Sequence, residues 1–174
     1  GELEGVNYED ISYEGYGPGG VAILIECLTD NKNRTVAEVR HTLGKYNGNL
    51  GESGCVGWMF TKKGLILIEK DKIEEDELLE IVLENGAEDM TDDDDNFAVT
   101  TTTETLAQVT DAIKAKIEII SSELSMIPST YIKLEEKQAH QMLKLLDKLE
   151  EIDDIQNVWT NFDIDPEIIE SFPG

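Results

Sequence analysis

Residues 13–40 read YEGYGPGGVAILIECLTDNKNRTVAEVR and join a glycine-rich turn, an apolar strand and a capped helix in one run. Val21 to Leu28 has the length and apolar content of a half-buried β-strand. Tyr8 to Tyr16 can pair with it, which makes Gly17, Pro18 and Gly19 a hairpin turn. Gly15, Gly17 and Gly20 also satisfy the pattern G-x-G-x-x-G. In dinucleotide-binding folds that pattern follows a strand and opens a helix whose N-terminus receives the pyrophosphate. Here the glycines open a strand, so no nucleotide cofactor is expected. Further on, Thr35 and Glu38 fit a capping box, and Val36, Val39, Leu43 and Tyr46 recur at helical spacing until Gly48 supplies a stop.

Beyond this run, Cys55 to Thr61 and Leu65 to Glu69 read as extended, with Lys62, Lys63 and Gly64 as a turn between them. Leu78, Leu79 and Val82 before Asn85-Gly86 mark a short amphipathic helix. A strand near Ala87 to Met90, an acidic turn from Asp92 to Asn96 and a strand from Phe97 to Thr101 follow. A helix carrying Leu106, Val109 and Ile113 and a strand from Ile117 to Met126 close the module. Counted from Leu65, the order is β-α-β-β-α-β, the split βαβ of ferredoxin-like domains. Pro128 and Ser129 then break the chain. Tyr131 to Leu134 is extended, Ala139, Met142, Leu143, Leu146 and Leu149 form an apolar helical stripe, and Ile155 to Phe162 is a last strand. A strand-helix-strand at this point can complete the sheet begun by Val21 to Leu28.

The composition is that of a folded chain, with 40% hydrophobic and 30% charged residues among 174. Its longest apolar stretch, Val21 to Ile25, is far short of the roughly 20 residues a membrane-spanning helix needs. Cys27 and Cys55 have neither a CxxC partner nor metal-ligand spacing, which fits a reducing cytoplasm. Net charge is -24, and such a surface repels a phosphate backbone. The distribution is polarised: Lys32 to Lys63 holds six basic and two acidic residues, whereas Ile73 to Ile113 holds 14 acidic residues and no Lys or Arg.

YEGYGPGG at 13–20, LTDNKNRT at 28–35, GNLGESGCVGWMF at 48–60 and EEIDDIQNVWTNFDI at 150–164 resemble, in this order, the motifs of the YebC family, whose eukaryotic branch is the mitochondrial translational activator of cytochrome c oxidase. The resemblance implies a basic helical N-terminal domain and two α+β domains, one ferredoxin-like and inserted in the other. It therefore selects an α+β fold of two α/β sandwiches. The discontinuous domain is expected over 1–64 plus 128–174 and the insert over 65–127. The N-terminal helical domain is expected to be absent, since Gly1 leads straight toward the hairpin.

Few residues invite chemistry. Asp92 to Asp95 suggest a calcium loop, but an EF-hand register starting at Asp92 places Phe97 where glycine is needed and Thr103 where the bidentate Glu belongs, so an acidic solvated turn is the better account. His41 and His140 lie beside apolar helical faces with no nucleophile motif near them. Asp153 and Asp154 read as a cap and turn into the last strand. Neither catalysis nor a metal or other cofactor is expected.

The constellation left is basic: Asn31, Lys32, Arg34, Arg40 and Lys45, with Asn33 among them. A helix N-terminus favours anions, and Arg34 and Lys45, eleven residues apart, share a helix face. Composition alone reads these cations as solubilising charge, and the resemblance brings a nucleic-acid or ribosome contact level with it. Tyr13, Tyr16 and Trp58 can stack on unpaired bases, although packing over a small core is the first reading.

The resemblance implies a cytoplasmic regulator of gene expression acting on DNA or ribosomal RNA. It does so through transcription, or through translation of difficult, notably proline-rich, segments. Nucleic-acid affinity would reside mainly in the absent basic domain, and the acidic module would face protein, such as basic ribosomal proteins. A ferredoxin-like module that senses a small molecule is the alternative, and fold alone is a weak warrant for it.

Overall fold

The structure, a computed structural model, describes residues 7–173. Residues 1–6 and 174, the outermost ends of the expected first domain, lie outside the described residues. β1 (Glu9–Tyr16) and β2 (Ala22–Thr29) form the expected antiparallel hairpin, with Tyr16 opposite Ala22 and Glu9 opposite Thr29. The turn needs its glycines, because Gly19 and Gly20 have φ of 74° and 83°, a region that side chains with a Cβ rarely enter. After α1 (Lys32–Lys45) and the short β3 (Asn49–Leu50) come β4 (Phe60–Glu69), α2 (Glu75–Glu84), β5 (Asp89–Asp93), β6 (Asn96–Thr101), α3 (Leu106–Lys114) and β7 (Ser121–Pro128). The chain ends with β8 (Ile132–Lys133), α4 (Glu136–Glu150), β9 (Ile155–Thr160), β10 (Phe162–Asp163) and α5 (Pro166–Ser171).

Two compact units result, one made of the residues up to Phe60 and from Pro128 onward, the other of Thr61–Ile127. In the first, the sheet runs β3-β1-β2-β9. Ile23, Ile25 and Cys27 of the central β2 are buried with Val39 and Leu43 of α1 and with Ala139, Met142, Leu145 and Leu149 of α4. Burial pushes the Cys27 thiol up to about 11, helped by the negative charge of Asp154, so it behaves as a core residue. In the second unit the sheet runs β5-β6-β4-β7, the split βαβ order. Its core joins Ile66 and Ile68 with Phe97 and Val99 from the strands, and Leu78, Val82, Val109 and Ile113 from the two helices.

Several local expectations are corrected. Lys62, Lys63 and Gly64 do not turn; they lie inside β4. Gly64 is opposite Thr101 and packs so closely that a Cβ would collide with the Thr101 hydroxyl and Leu106. Cys55 to Thr61 is not a strand; it is a loop with a 3-10 turn at Gly57–Met59 that straightens only at Phe60. The acidic tip is narrower than Asp92 to Asn96, since β5 runs through Asp93 and Asp94 alone takes positive φ, at 51°. The strand expected from Ile117 begins at Ser121.

The end of α1 is set by Asn47 at φ 72°, while the N–H of Gly48 donates to Leu43 O at 2.7 Å in a Schellman closure. Gly48 is needed for a different reason: a Cβ there would sit 2.6 Å from Tyr16 O. On α4, Leu145 is fully buried, and Leu143 and Leu146 pack only at the margin.

The last expected strand breaks at Asn161, which is 2% exposed. Its Oδ1 accepts from the Ala22 N–H at 2.8 Å and its carbonyl accepts from the Ile132 N–H at 2.8 Å. Consequently β9 joins the main sheet beside β2, whereas β8 does not and pairs in parallel with β10.

Candidate nucleic-acid interface

The helix start is built differently from the expected capping box. Asn31 is the N-cap, its Oδ1 accepting from the Arg34 N–H at 3.1 Å. Thr35 lies in the first turn and is fully buried. Its hydroxyl donates to Asp154 Oδ2 at 2.7 Å and lies 2.7 Å from Thr29 Oγ1. The Arg34 guanidinium donates to both Asp154 oxygens, at 3.2 and 2.9 Å, and to Asp30 Oδ1 at 3.0 Å, with Glu38 at 3.7 Å. The Thr35 hydrogen bond, with Arg34 and Thr29 behind it, outweighs burial and holds the Asp154 carboxyl below its ordinary value. Asp154 is therefore the bolt between β9 and the start of α1, more than a turn-forming residue.

This arrangement divides the basic constellation. Asn31 spends its side chain on the cap, Arg34 is surrounded by three carboxylates, and Lys32 lies 3.7 Å from Glu9. Arg34 stays 45% exposed, but its charge is already matched by carboxylates. Arg40 and Lys45 remain exposed with no carboxylate partner among the described residues, and Lys45 rests 5.5 Å above the Tyr46 ring. Arg34 and Lys45 are about 16 Å apart along the helix axis at 1.5 Å per residue.

The second feature is the loop from Gly51 to Met59. It crosses the face of the sheet that carries Glu14, opposite the helices. Gly51 N–H donates to Glu14 O at 2.8 Å. The Glu14 carboxylate then accepts three backbone N–H groups: Gly54 at 2.6 Å, Val56 at 3.0 Å, and Gly57 in a short bond. Burial works against the charge, and these three bonds outweigh it, so the Glu14 carboxyl also lies below its ordinary value.

Glycine is favoured at two of these positions, at one by backbone angle and at the other by the closeness of the Glu14 carboxylate. Gly54 has φ 89°, and a Cβ on Gly57 would come within 2.9 Å of Glu14 Oε1. The loop buries Val56 completely and leaves Trp58 74% exposed. The indole N–H is tied to Cys55 O at 3.1 Å. Tyr13 and Tyr16 are half-buried, as packing residues are, and Tyr13 joins the main core. Trp58 is not a packing residue, which overturns that reading for it.

The anchor of this loop is not evident from its motif GNLGESGCVGWMF. The available signal was the three-residue spacing of Gly51, Gly54 and Gly57, since glycines that let N–H groups converge imply an anion to receive them.

Other candidates do not assemble. Among the described residues no three His, Cys, Asp or Glu side chains are placed to hold a metal ion, and no helix is long and apolar enough to cross a membrane. The β4–α2 junction borders a 560 Å³ hollow lined by Lys70, Asp71, Lys72, Glu74 and Glu75 with Ile73 and Phe97. This largely charged lining is unlike the apolar walls of small-molecule sites.

Comparison with known proteins gives the relationship. Residues 8–162 match the family model for the second and third domain of TACO1/YebC. The chain belongs to the TACO1/YebC family. A protein of Geobacter sulfurreducens named a probable transcriptional regulatory protein is 55% identical over 171 residues, covering 98% of this chain and 69% of the relative. One of the same description from Koribacter versatilis is 52% identical over 175 residues, covering 100% and 71%. The crystal structure of a conserved hypothetical protein from Aquifex aeolicus superposes with a TM-score of 0.80 at 42% identity, over 97% of this chain and 70% of that one.

Proposed function

We propose that this chain is the two-domain part of a cytoplasmic regulator of gene expression that acts by binding, without catalysing a reaction, and that the Trp58 loop is its contact with unpaired bases of ribosomal RNA. The observation that carries this reading is a tryptophan 74% exposed on a loop whose backbone is tied down at Gly51, Gly54, Val56 and Gly57. A large ring held out by a fixed loop loses little conformational freedom on binding. Stacking on a base is worth about 1–3 kcal/mol and tolerates any base.

Charge favours unpaired and protein-rich targets over a free duplex. The first unit has 20 acidic and 8 basic residues and the second has 18 and 6, so each repels a dense phosphate array. The names of the relatives support a role in gene expression. The family resemblance supports the finer reading, in which the ribosome is assisted through proline-rich segments and the acidic second unit faces basic ribosomal proteins.

The test is co-sedimentation of the chain and of its Trp58→Ala variant with ribosomes, and with duplex DNA, at low and moderate salt. The wild type pellets with ribosomes and the variant binds about 5- to 150-fold more weakly, the range that 1–3 kcal/mol of stacking implies. Equal pelleting of the two proteins would remove Trp58 from the contact. Pelleting with duplex DNA in preference to ribosomes would favour the transcriptional role.

A further inference from the structure

Glu14 touches the Trp58 loop at both ends. Its carbonyl oxygen accepts from Gly51, and its carboxylate accepts from Gly54, Val56 and Gly57. The strand beneath is fixed on both edges, Glu14 lying opposite Leu24 of β2 and its neighbour Gly15 opposite Leu50 of β3. The carboxylate is therefore a rigid post, and the loop is the part that is shaped around it.

Three converging N–H groups form an anion-binding concavity of the kind that elsewhere takes phosphate. Here the chain supplies the anion itself. A phosphate cannot use those donors while Glu14 occupies them, which leaves the exposed indole as the loop's means of contact.

We infer that Glu14 is the positioning residue of the Trp58 contact: its carboxylate, seated on the N–H groups of Gly54, Val56 and Gly57, fixes the loop so that the indole is held outward from the sheet. This rests on the reading of Trp58 as the contact. Glu14 acts through the loop and touches no partner. Glu14→Gln keeps the size of the side chain but has one acceptor oxygen, and it turns an NH₂ group toward N–H groups that are themselves donors. Gly54→Ala disturbs the same loop from the other side, because its φ of 89° strains any residue with a Cβ.

The experiment combines amide hydrogen exchange by NMR with ribosome co-sedimentation on four proteins: wild type, Glu14→Gln, Gly54→Ala and Trp58→Ala. In Glu14→Gln, exchange at Gly54, Val56 and Gly57 accelerates at least about tenfold while Ile25 stays protected, and pelleting falls to the level of Trp58→Ala. Trp58→Ala itself keeps wild-type exchange at those amides. If Glu14→Gln loosens the loop yet pellets like wild type, or leaves exchange unchanged, the positioning role is overturned. If Trp58→Ala pellets like wild type, the contact reading fails instead, and the exchange data still report whether Glu14 holds the loop. Should Glu14→Gln lose protection at Ile25 as well, Gly54→Ala carries the test: pelleting at the wild-type level despite accelerated exchange in the loop overturns the inference, and weakened pelleting supports it.

Discussion

Two carboxylates hold the first unit together at opposite ends of its sheet, and they do so with different donors. Asp154, beside the start of α1, is met by side chains: the hydroxyls of Thr29 and Thr35 and the guanidinium of Arg34. Glu14, beside the glycine-rich loop, is met by backbone N–H groups alone. The first arrangement joins two elements that are regular in themselves and neutralises a cation in doing so. The second gives shape to a loop whose one regular piece is the 3-10 turn at Gly57–Met59, and it consumes no cation. The carboxylate bound by side chains thus ties two elements together, whereas the one bound by backbone sets the course of a loop.

The largest effect is expected on the stability side. Asp154→Ala removes the acceptor for two threonine hydroxyls and the charge opposite Arg34, on a side chain only 15% exposed. It should cost about 2–3 kcal/mol, since hydrogen bonds to charged groups are worth roughly 1.5–3 and the buried Thr35 hydroxyl loses its charged acceptor, keeping only Asn31 O and Thr29 Oγ1 within reach. Urea unfolding measures it, and a loss below about 1 kcal/mol would show that Thr29 and Thr35 re-pair locally. Arg34→Ala should cost less than Asp154→Ala in the same urea series, because the arginine is 45% exposed and solvent screens its ion pairs.

Acid should act on both ends in the same direction. Each carboxyl is held below its ordinary value in the folded chain. The stability each contributes is therefore complete above the ordinary carboxylate pKa and is lost as pH falls through the lowered folded value. Urea midpoints recorded from neutral pH downward should decline over that acid window, with a shallower decline in an Asp154→Asn, Glu14→Gln double variant. An unchanged slope would show that other carboxylates dominate acid unfolding.

The smallest effect on stability belongs to Trp58→Ala, which should shift the urea midpoint by no more than about 0.5 kcal/mol, as exposed positions do. Under the proposed contact, its large effect is expected on ribosome association instead. A variant that bound normally but unfolded easily would reverse the comparison, making Trp58 a packing residue after all.

The hairpin, the helical stripes and the βαββαβ order were legible because each rests on a period that burial enforces: alternation in β1 and β2, and three-to-four spacing in α1 and α4. What misled was local chemistry overruled by distant contacts. Thr35 followed by Glu38 looks like a cap, but Thr35 is drawn inward by Asp154, 119 residues away, and the cap passes to Asn31. Lys62, Lys63 and Gly64 look like a turn, but Gly64 is where β4 must pass close to Thr101 and Leu106. In the candidate interface, Arg34 was legible as a cation, while the three carboxylates around it were not. Trp58 was named with the half-buried tyrosines, and no spacing distinguishes a tryptophan that covers a core from one pushed off it by a loop anchored 40 or more residues earlier.

The insertion itself has a consequence for how the chain reaches this state. β2 has β1 at hand from the moment it is synthesised, but its other neighbour, β9, lies beyond the whole of the second unit. The sheet of the first unit cannot close until β9 has been made, whereas Thr61–Ile127 contains every strand and helix of its own core and is able to fold earlier. Its first and last strands, β4 and β7, are neighbours in one sheet. Once folded, the insert therefore hands the chain back beside the place where it received it, and a 67-residue excursion acts as a short tether whose closure entropy has already been met. This closure of the insert on its own sheet is independent of anything either unit binds.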